Sequence, residues 1–472
     1  MKSFFACGLA WLVLVHAALF AIFWLSSGSF RVDTNTYLAK ALHAPGDYVG
    51  GCLLAALGLA LWAGLRLARR AGSRLAGLGS WLFGGLGLAF LAFFYGSFWL
   101  LLRESPVQLP RVLQLLGYFR LLPDLVLVAA AAWLGRGWVR RRRAAGQRRV
   151  VLPLVCFSLL WALPLALPPG SVYSGSLPAR PLLIAHRGES SLAPENTLAS
   201  ARLAAGLGVY GLETDLHISQ DGAPFLMHDD SLARTTDVKA VFPGREQQRA
   251  ESFSLAEVRR LDAGSWFVQA DPFGSIASGA LAAAQAEAYR REPVPSLAEE
   301  LAIVRERGLV FIFDLKEPPA GHPYAQTFFE LVLDQLKAAQ VDRQIWFLAD
   351  RAELAVLRQS APAMLPAYGG DYRRPSAADE LAQAGYRVVN LEYGLPAEWI
   401  RRYQAAGLWV NLYTIDEPWQ YSRLWLLGAN STTTSRPSAM QALPAPLLSL
   451  PYGLYAALWA AAGLAGWLLI LR

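Results

Sequence analysis

Hydrophobic sequence is gathered at the two ends of this chain rather than spread along it, and that distribution limits the folds open to it. Residues 1–177 and 445–472 hold nearly continuous apolar stretches, whereas 178–440 carries the mixed charge of an ordinary soluble domain. The chain is 54% hydrophobic and 17% charged, against about 25% charged in soluble proteins, and its two ends account for the difference. The first stretch, FFACGLAWLVLVHAALFAIFWLS, exceeds the roughly 7–15-residue apolar core of a signal peptide and is long enough to cross a bilayer. Further spans are expected near 49–66, 79–102, 113–135, 150–167 and 447–471, making six in all.

The arginines orient these spans. Arg69, Arg70 and Arg74 follow the second, and Arg136, Arg140 to Arg143, Arg148 and Arg149 follow the fourth. The alternate loops hold only Arg31 with Lys40, then Arg103 with Arg111. Positive charge favours the cytoplasmic side. The sequence therefore predicts a multi-pass protein of the cytoplasmic membrane with both termini inside and the soluble domain outside. The four-arginine run reads as a topology signal between two spans, not as a nucleic-acid surface. Net charge of +7 largely reflects these loops and says little about the substrate; the apolar spans imply the lipid bilayer as a partner.

Cys7, Cys52 and Cys156 all fall in expected spans, so no disulfide or thiolate metal site is open to the outward domain. A packed core must hold that domain together. Strand-like runs at 181–185, 209–218, 309–315, 344–348, 364–368, 386–391, 408–415 and 429–434 mostly alternate with helical patterns. Eight such units without a GxGxxG fingerprint favour a (β/α)8 TIM barrel over a doubly wound sheet. Residues 238–295 are polar and punctuated by glycine and proline. They are too long for a βα loop and read as an insertion near the active-site face.

Barrel chemistry sits at the C-terminal ends of the strands, and the informative residues cluster there. His186 and Arg187 end the first strand; Glu213 and Asp215, two apart on the second, share a face; His228 and Asp229 close the run after it; Asp314 and Lys316 end the third. Three carboxylates offer an all-oxygen site for a hard divalent cation, and two histidines offer an acid and a base. Arginine and lysine beside such a site suit a phosphate. Charges facing a barrel interior are costly unless paired or metal-bound, which favours one joint site over separate solvated faces. His217 continues the Glu213–Asp215 face and reads as a rim or core histidine, while Arg120 and Asp124, four apart, read as a structural ion pair.

HRG at 186–188, PENT at 194–197, ETD at 213–215, HD at 228–229, LDAGSWF at 261–267 and VPSL at 294–297 together resemble the glycerophosphodiester phosphodiesterase family. FDLKEPPAGHPY (313–324) and VNLYTIDEPWQYSRLW (410–425) resemble its membrane branch with six spans and an outward catalytic domain. The resemblance implies catalytic His186 and His228, metal ligands Glu213, Asp215 and Asp314 for one Ca²⁺ or Mg²⁺, and phosphate contacts from Arg187 and Lys316. It implies attack by a substrate hydroxyl through a cyclic intermediate, with glycerophosphodiesters or phospholipid-derived molecules as substrates. Asp314 stands where the family usually has glutamate. Asp416 stands for the asparagine of Trp-Thr-x-Asn, and Ser435 for the aspartate of Thr-Asp-x-Pro. Phospholipase C- or D-like action on intact lipid, and a non-catalytic receptor or scaffold, remain the alternative readings.

A reporter fused after Pro178 tests the topology. An exported reporter such as alkaline phosphatase should be active there, whereas activity of a cytoplasm-only reporter at that point would reverse the orientation.

Overall fold

The computed structural model describes residues 2–26, 46–68, 85–96, 109–144 and 151–472, with single positions at 31, 34, 35, 38, 44 and 83. Arg69, Arg70, Arg74, Lys40, Arg103, Arg148 and Arg149 lie outside the described residues, as do the ends of the third expected span. The chain divides into two compact units, Met1–Leu177 with Ala445–Arg472, and Pro178–Pro444.

The first unit is helical: Lys2–Ser26, Tyr48–Ala68, Gly85–Gly96, Leu109–Phe119, Leu121–Ala144, Val151–Ala166 and Tyr452–Leu471. Among the described residues, Leu121–Arg142 and Tyr452–Leu471 are long and apolar enough to cross a membrane; Leu9–Leu25, Tyr48–Ala63, Gly85–Gly96 and Val151–Ala166 are apolar but shorter. The fourth expected span differs from its sequence reading. Its helix breaks at Arg120, whose Nε donates to Asp124 Oδ2 at 2.9 Å and whose guanidinium also reaches the Leu167 carbonyl. It then continues past 135 to Ala144, so Arg136 and Arg140 to Arg143 end a helix rather than form a loop. Arginine is a good helix former, and its charge is favoured at a helix C-terminus.

Close approach joins the two helices nearest the soluble unit in sequence. A Cβ on Gly463 would come within 2.3 Å of the Trp161 indole. Trp161 and Trp459 each donate an indole N–H to the other's carbonyl at 2.8 Å.

The second unit is a closed barrel of eight parallel strands. In chain order these are β1 (Leu182–His186), β2 (Gly211–Ile218), β4 (Val310–Leu315), β5 (Ile345–Leu348), β6 (Leu365–Gly369), β7 (Val388–Glu392), β8 (Trp409–Tyr413) and β9 (Ser431–Thr434). Each pairs with its neighbour, β9 pairs with β1 to close the ring, and a short β3 (Pro224–Leu226) adds antiparallel to β2. The strands fall within a few residues of the runs read from sequence.

Strand alternation divides the core. Leu183, Leu212, Leu216, Phe311, Phe313 and Phe347 pack outward beneath the helices. Ile184, Val310, Ile312, Trp346 and Val388 fill the barrel. A polar layer lies among the inward residues: Asn411 donates to Asn390 Oδ1 at 2.7 Å and Thr433 Oγ1 at 2.8 Å, and accepts from Ser431 at 2.8 Å. Its polar atoms satisfy one another, which is what makes their burial tolerable.

Residues 238–295 fold as short helices, including Val238–Val241, Leu255–Val258, Ser265–Ala270 and Ala283–Glu287. Their core gathers Val238, Phe253, Val258 and Leu261 onto Phe225 and Met227. Chain order resumes at Ser296, whose capping box with Glu299 starts the helix Leu297–Arg307; Gly308 ends it in the left-handed conformation at φ 65°. One buried hydrogen bond ties the insertion to β2. His217 Nδ1 lies 2.9 Å from Glu251 Oε1, with both side chains essentially inaccessible. The core reading of His217 is therefore correct. Burial opposes the Glu251 charge, yet bonds from His217 and Arg249 prevail and hold its carboxyl down at about 2.

Because that lies below the ordinary glutamate value of 4.5, the stabilisation is complete above pH 4.5 and is lost as pH falls toward 2. Glu251→Ala should cost about 3 kcal/mol at neutral pH, as removal of one partner of a buried pair does. It should also flatten the acid-side loss of stability. Denaturant unfolding at several pH values reads both effects, and unchanged stability would show that the pair does not clamp the insertion.

Candidate active site

Of the seven residues singled out from the sequence, five stand at or just beyond C-terminal strand ends, and Glu213 and Asp215 lie within β2 level with them. Register makes this so: His186 pairs with Glu213, and Asp215 with Asp314. The turn after β1 is shaped by backbone that few residues tolerate. Arg187 and Asn196 take positive φ, 56° and 53°. Gly188 follows at φ 81°, where a Cβ would lie 2.5 Å from Ser200. Ser200 in turn caps with Thr197, the last residue of PENT and the N-cap of Leu198–Gly206. Left-handed backbone at non-glycine residues costs of order 1–3 kcal/mol and persists only where surrounding contacts enforce it. Here both strained residues grip one carboxylate. Arg187 Nε lies 3.0 Å from Asp215 Oδ2, and Asn196 Nδ2 donates to the same oxygen at 2.9 Å.

Lys316 completes the hold on Asp215, with Nζ 2.9 Å from Oδ1, and bridges to Asp314 Oδ2 at 2.5 Å. Burial opposes the Asp215 charge, but Arg187, Lys316 and Asn196 outweigh it and keep the carboxyl below the ordinary range. Glu213 has no such support. Its Oε2 is buried without a hydrogen-bond partner, and burial followed by the Asp215 charge pushes its carboxyl well above the usual range.

The two histidines are held differently. His228 Nδ1 lies 2.6 Å from Asp229 Oδ1. Arg234 clamps Asp229 at 2.6 and 3.0 Å and reaches Glu195 at 3.0 and 2.7 Å. Glu195 also takes Arg187 at 2.9 Å, so one chain of ion pairs runs from the first strand's turn to the second histidine. Asp229 stays at about 2 against burial because Arg234 and His228 bond it. His186 Nδ1 instead meets a hydroxyl, Ser435 Oγ, at 2.9 Å, while its Nε2 lies 3.7 Å from Glu213 Oε2. Burial and the Arg187 charge push the His186 imidazole down to about 3, so it stands neutral.

Arg234, Asn196, Glu195 and Ser435 were not singled out from sequence as site residues. Glu195 and Asn196 were read only as part of a turn. Arg234 lies six positions beyond His228, in polar sequence with no strand or helix pattern. Ser435 was read only as a changed rim residue.

Among the described residues, no group of three or more His, Cys, Asp or Glu side chains stands ready as a metal cage. Lys316 lies between Asp215 and Asp314, and Arg187 lies against Asp215. The donor chemistry nevertheless fits a hard divalent ion. Glu195, Glu213, Asp215, Asp229 and Asp314 stand against the fixed cations Arg187, Arg234 and Lys316, with His228 on Asp229. With all five ionised, negative charge is left over whether or not His228 carries its proton, and one buried Glu213 oxygen has no partner.

The model of the glycerophosphoryl diester phosphodiesterase family matches residues 186–439. Glycerophosphodiester phosphodiesterase domain-containing protein 5 of Gallus gallus is 33% identical over 350 residues, covering 73% of this chain and 57% of that protein. Glycerophosphoinositol inositolphosphodiesterase GDPD2 of Mus musculus is 36% identical over 300 residues, covering 62% and 53%. The chain thus spans about half the length of the curated relatives it matches. Among solved structures, an Oleispira antarctica phosphodiesterase in complex with the product sn-glycerol-3-phosphate is 26% identical over 56% of this chain and 96% of that one, with a TM-score of 0.45.

Glu213→Gln removes the unsupported charge. The cation-free variant should unfold a few degrees above wild type, and added Ca²⁺ or Mg²⁺ should raise the wild-type midpoint more than the variant's. An equal rise in both would exclude Glu213 from any cation site.

Proposed function

The chain belongs to the glycerophosphoryl diester phosphodiesterase family, and on that premise we propose that it hydrolyses glycerophosphodiesters to glycerol phosphate and an alcohol. Members of the family generally use a divalent cation. The observation that carries the reading is the joint placement of His186 and His228 with three carboxylates and two cations at one barrel mouth. A neutral His186, its Nδ1 engaged by Ser435, turns Nε2 toward the substrate and takes the proton of the attacking hydroxyl. His228, its Nδ1 fixed by Asp229, supplies a proton to the departing alcohol. Arg187 and Lys316 orient the phosphodiester oxygens, exchanging part of their hold on Asp215 for the ligand. Glu213, Asp215 and Asp314 would hold the cation, which when bound stabilises charge developing on oxygen.

The same reading places the enzyme in a membrane through six spans, with the barrel on the outer face. Arginine asymmetry supports the orientation. Support for lipid contact comes from exposed leucines on several helices of the first unit: Leu54, Leu57 and Leu61; Leu152, Leu159 and Leu163; Leu454, Leu458 and Leu464. Such surfaces are costly in water and suited to hydrocarbon.

The test is turnover of a glycerophosphodiester panel by purified full-length protein, with products identified by mass spectrometry. His186→Ala and His228→Ala should each lower kcat by about 10²–10⁴-fold while leaving the unfolding midpoint in place. Activity kept within a few-fold in either variant would remove that histidine from the chemistry. Exclusive cleavage of intact phospholipid would replace the substrate class.

A further inference from the structure

The second carboxylate behind His186 is not where a histidine's usual acidic partner would sit. His228 is bonded directly by Asp229, but His186 Nδ1 meets the Ser435 hydroxyl at 2.9 Å. Behind that serine lies Asp416, whose Oδ1 accepts the Ser435 backbone N–H at 2.8 Å and lies 3.4 Å from Thr434 Oγ1. The Ser435 hydroxyl, on the residue whose N–H this carboxylate accepts, also favours its charged form. The Asp416 backbone N–H is in turn held by Gln420 Oε1 at 3.3 Å.

We propose that Asp416, acting through the Ser435 hydroxyl, is a positioning residue that sets the tautomer and orientation of His186. An ionised carboxylate only accepts, so the Ser435 proton points toward Asp416. The serine lone pairs then face His186, whose Nδ1 must carry the ring proton. Nε2 is left as the acceptor turned into the site. The order is His186–Ser435–Asp416, a carboxylate acting at one hydroxyl's remove. It also links two departures from the family pattern, because acid appears at 416 where asparagine is usual and is missing at 435 where aspartate is usual. The acid has moved one bond further from the ring, and serine fills the gap. Burial leaves the Asp416 carboxyl above its ordinary value, against the opposing pull of the Ser435 N–H, the Arg436 charge and the Ser435 hydroxyl.

This inference rests on the phosphodiesterase reading, and its test separates the two. Asp416→Asn offers an amide that can donate to Ser435. The hydroxyl can then reverse, donate to Nδ1 and leave the proton on Nε2, the wrong tautomer. Loss of a directly bonded carboxylate partner costs up to about 10⁴-fold; with a hydroxyl interposed, kcat should fall about 100-fold, with KM within twofold of wild type. Ser435→Ala should lower kcat about tenfold. The decisive variant is Asp416→Asn combined with Ser435→Asp, which puts the carboxylate back on Nδ1 and should restore kcat to within tenfold of wild type. A merely structural role for Asp416 would make the second substitution worsen the first. With wild type active on glycerophosphodiesters, an Asp416→Asn kcat within threefold of wild type, or a loss that Ser435→Asp does not relieve, overturns the relay alone. A wild-type chain inactive on every phosphodiester overturns the functional reading, and the relay with it.

Discussion

Asp215 is the point on which the barrel mouth depends. Three groups from three segments converge on its two oxygens: the Arg187 charge from the turn after β1, the Asn196 amide from the PENT turn and the Lys316 ammonium from the end of β4. Without that buried anion, Arg187 and Asn196 would have little reason to hold left-handed backbone, and the turn presenting His186 would relax. The anion and the strain are therefore one arrangement. A buried carboxylate is tolerable only when its lone pairs are satisfied. Satisfying them draws the first and third parallel strands' ends together around the second.

The same interaction explains why neighbouring carboxylates differ. Asp215 and Glu213 share a strand face, yet one is depressed and the other raised. Arg187, Lys316 and Asn196 lie against Asp215, whereas at Glu213 burial and the Asp215 charge outweigh the more distant pull of Arg187 and Lys316. A cation entering this mouth would meet one well-braced carboxylate, one unsupported buried one, and the half-exposed Asp314 tethered to lysine. Such a set is asymmetric by construction. Asp314, one methylene shorter than the usual glutamate, gains through Lys316 a partner that partly answers its charge without metal.

The barrel was legible in the sequence because strand-length apolar runs alternated with helical ones, and period-two spacing put Glu213, Asp215, Asp314 and Lys316 inward. For His217 that spacing left rim and core open, and the Glu251 contact decides for core. What escaped was any contact made across the mouth. Arg234 and Ser435 lie in polar, aperiodic sequence, and their partners are 39 residues away for Glu195 and 249 for His186. The polar interior layer of Asn390, Asn411 and Thr433 escaped too, since each residue alone looks like a weakened strand position. In the first unit the break at Arg120 was hidden by hydropathy averaging. An Arg–Asp pair spaced by four is compatible with an unbroken helix, and only the additional bond to the Leu167 carbonyl distinguishes the broken one.

The two histidines show how one fold can hold one ring type in two environments. His228 lies against an ionised carboxylate that is itself clamped by arginine, at a site open on one side. His186 lies deeper, with a neutral hydroxyl on Nδ1 and a guanidinium nearby, and its charged form is disfavoured. Chemistry that takes a proton on one face of a phosphodiester and returns one on the other needs that inequality. Here burial and the Arg187 charge disfavour the charged form of one ring, while the other has a carboxylate directly on its Nδ1.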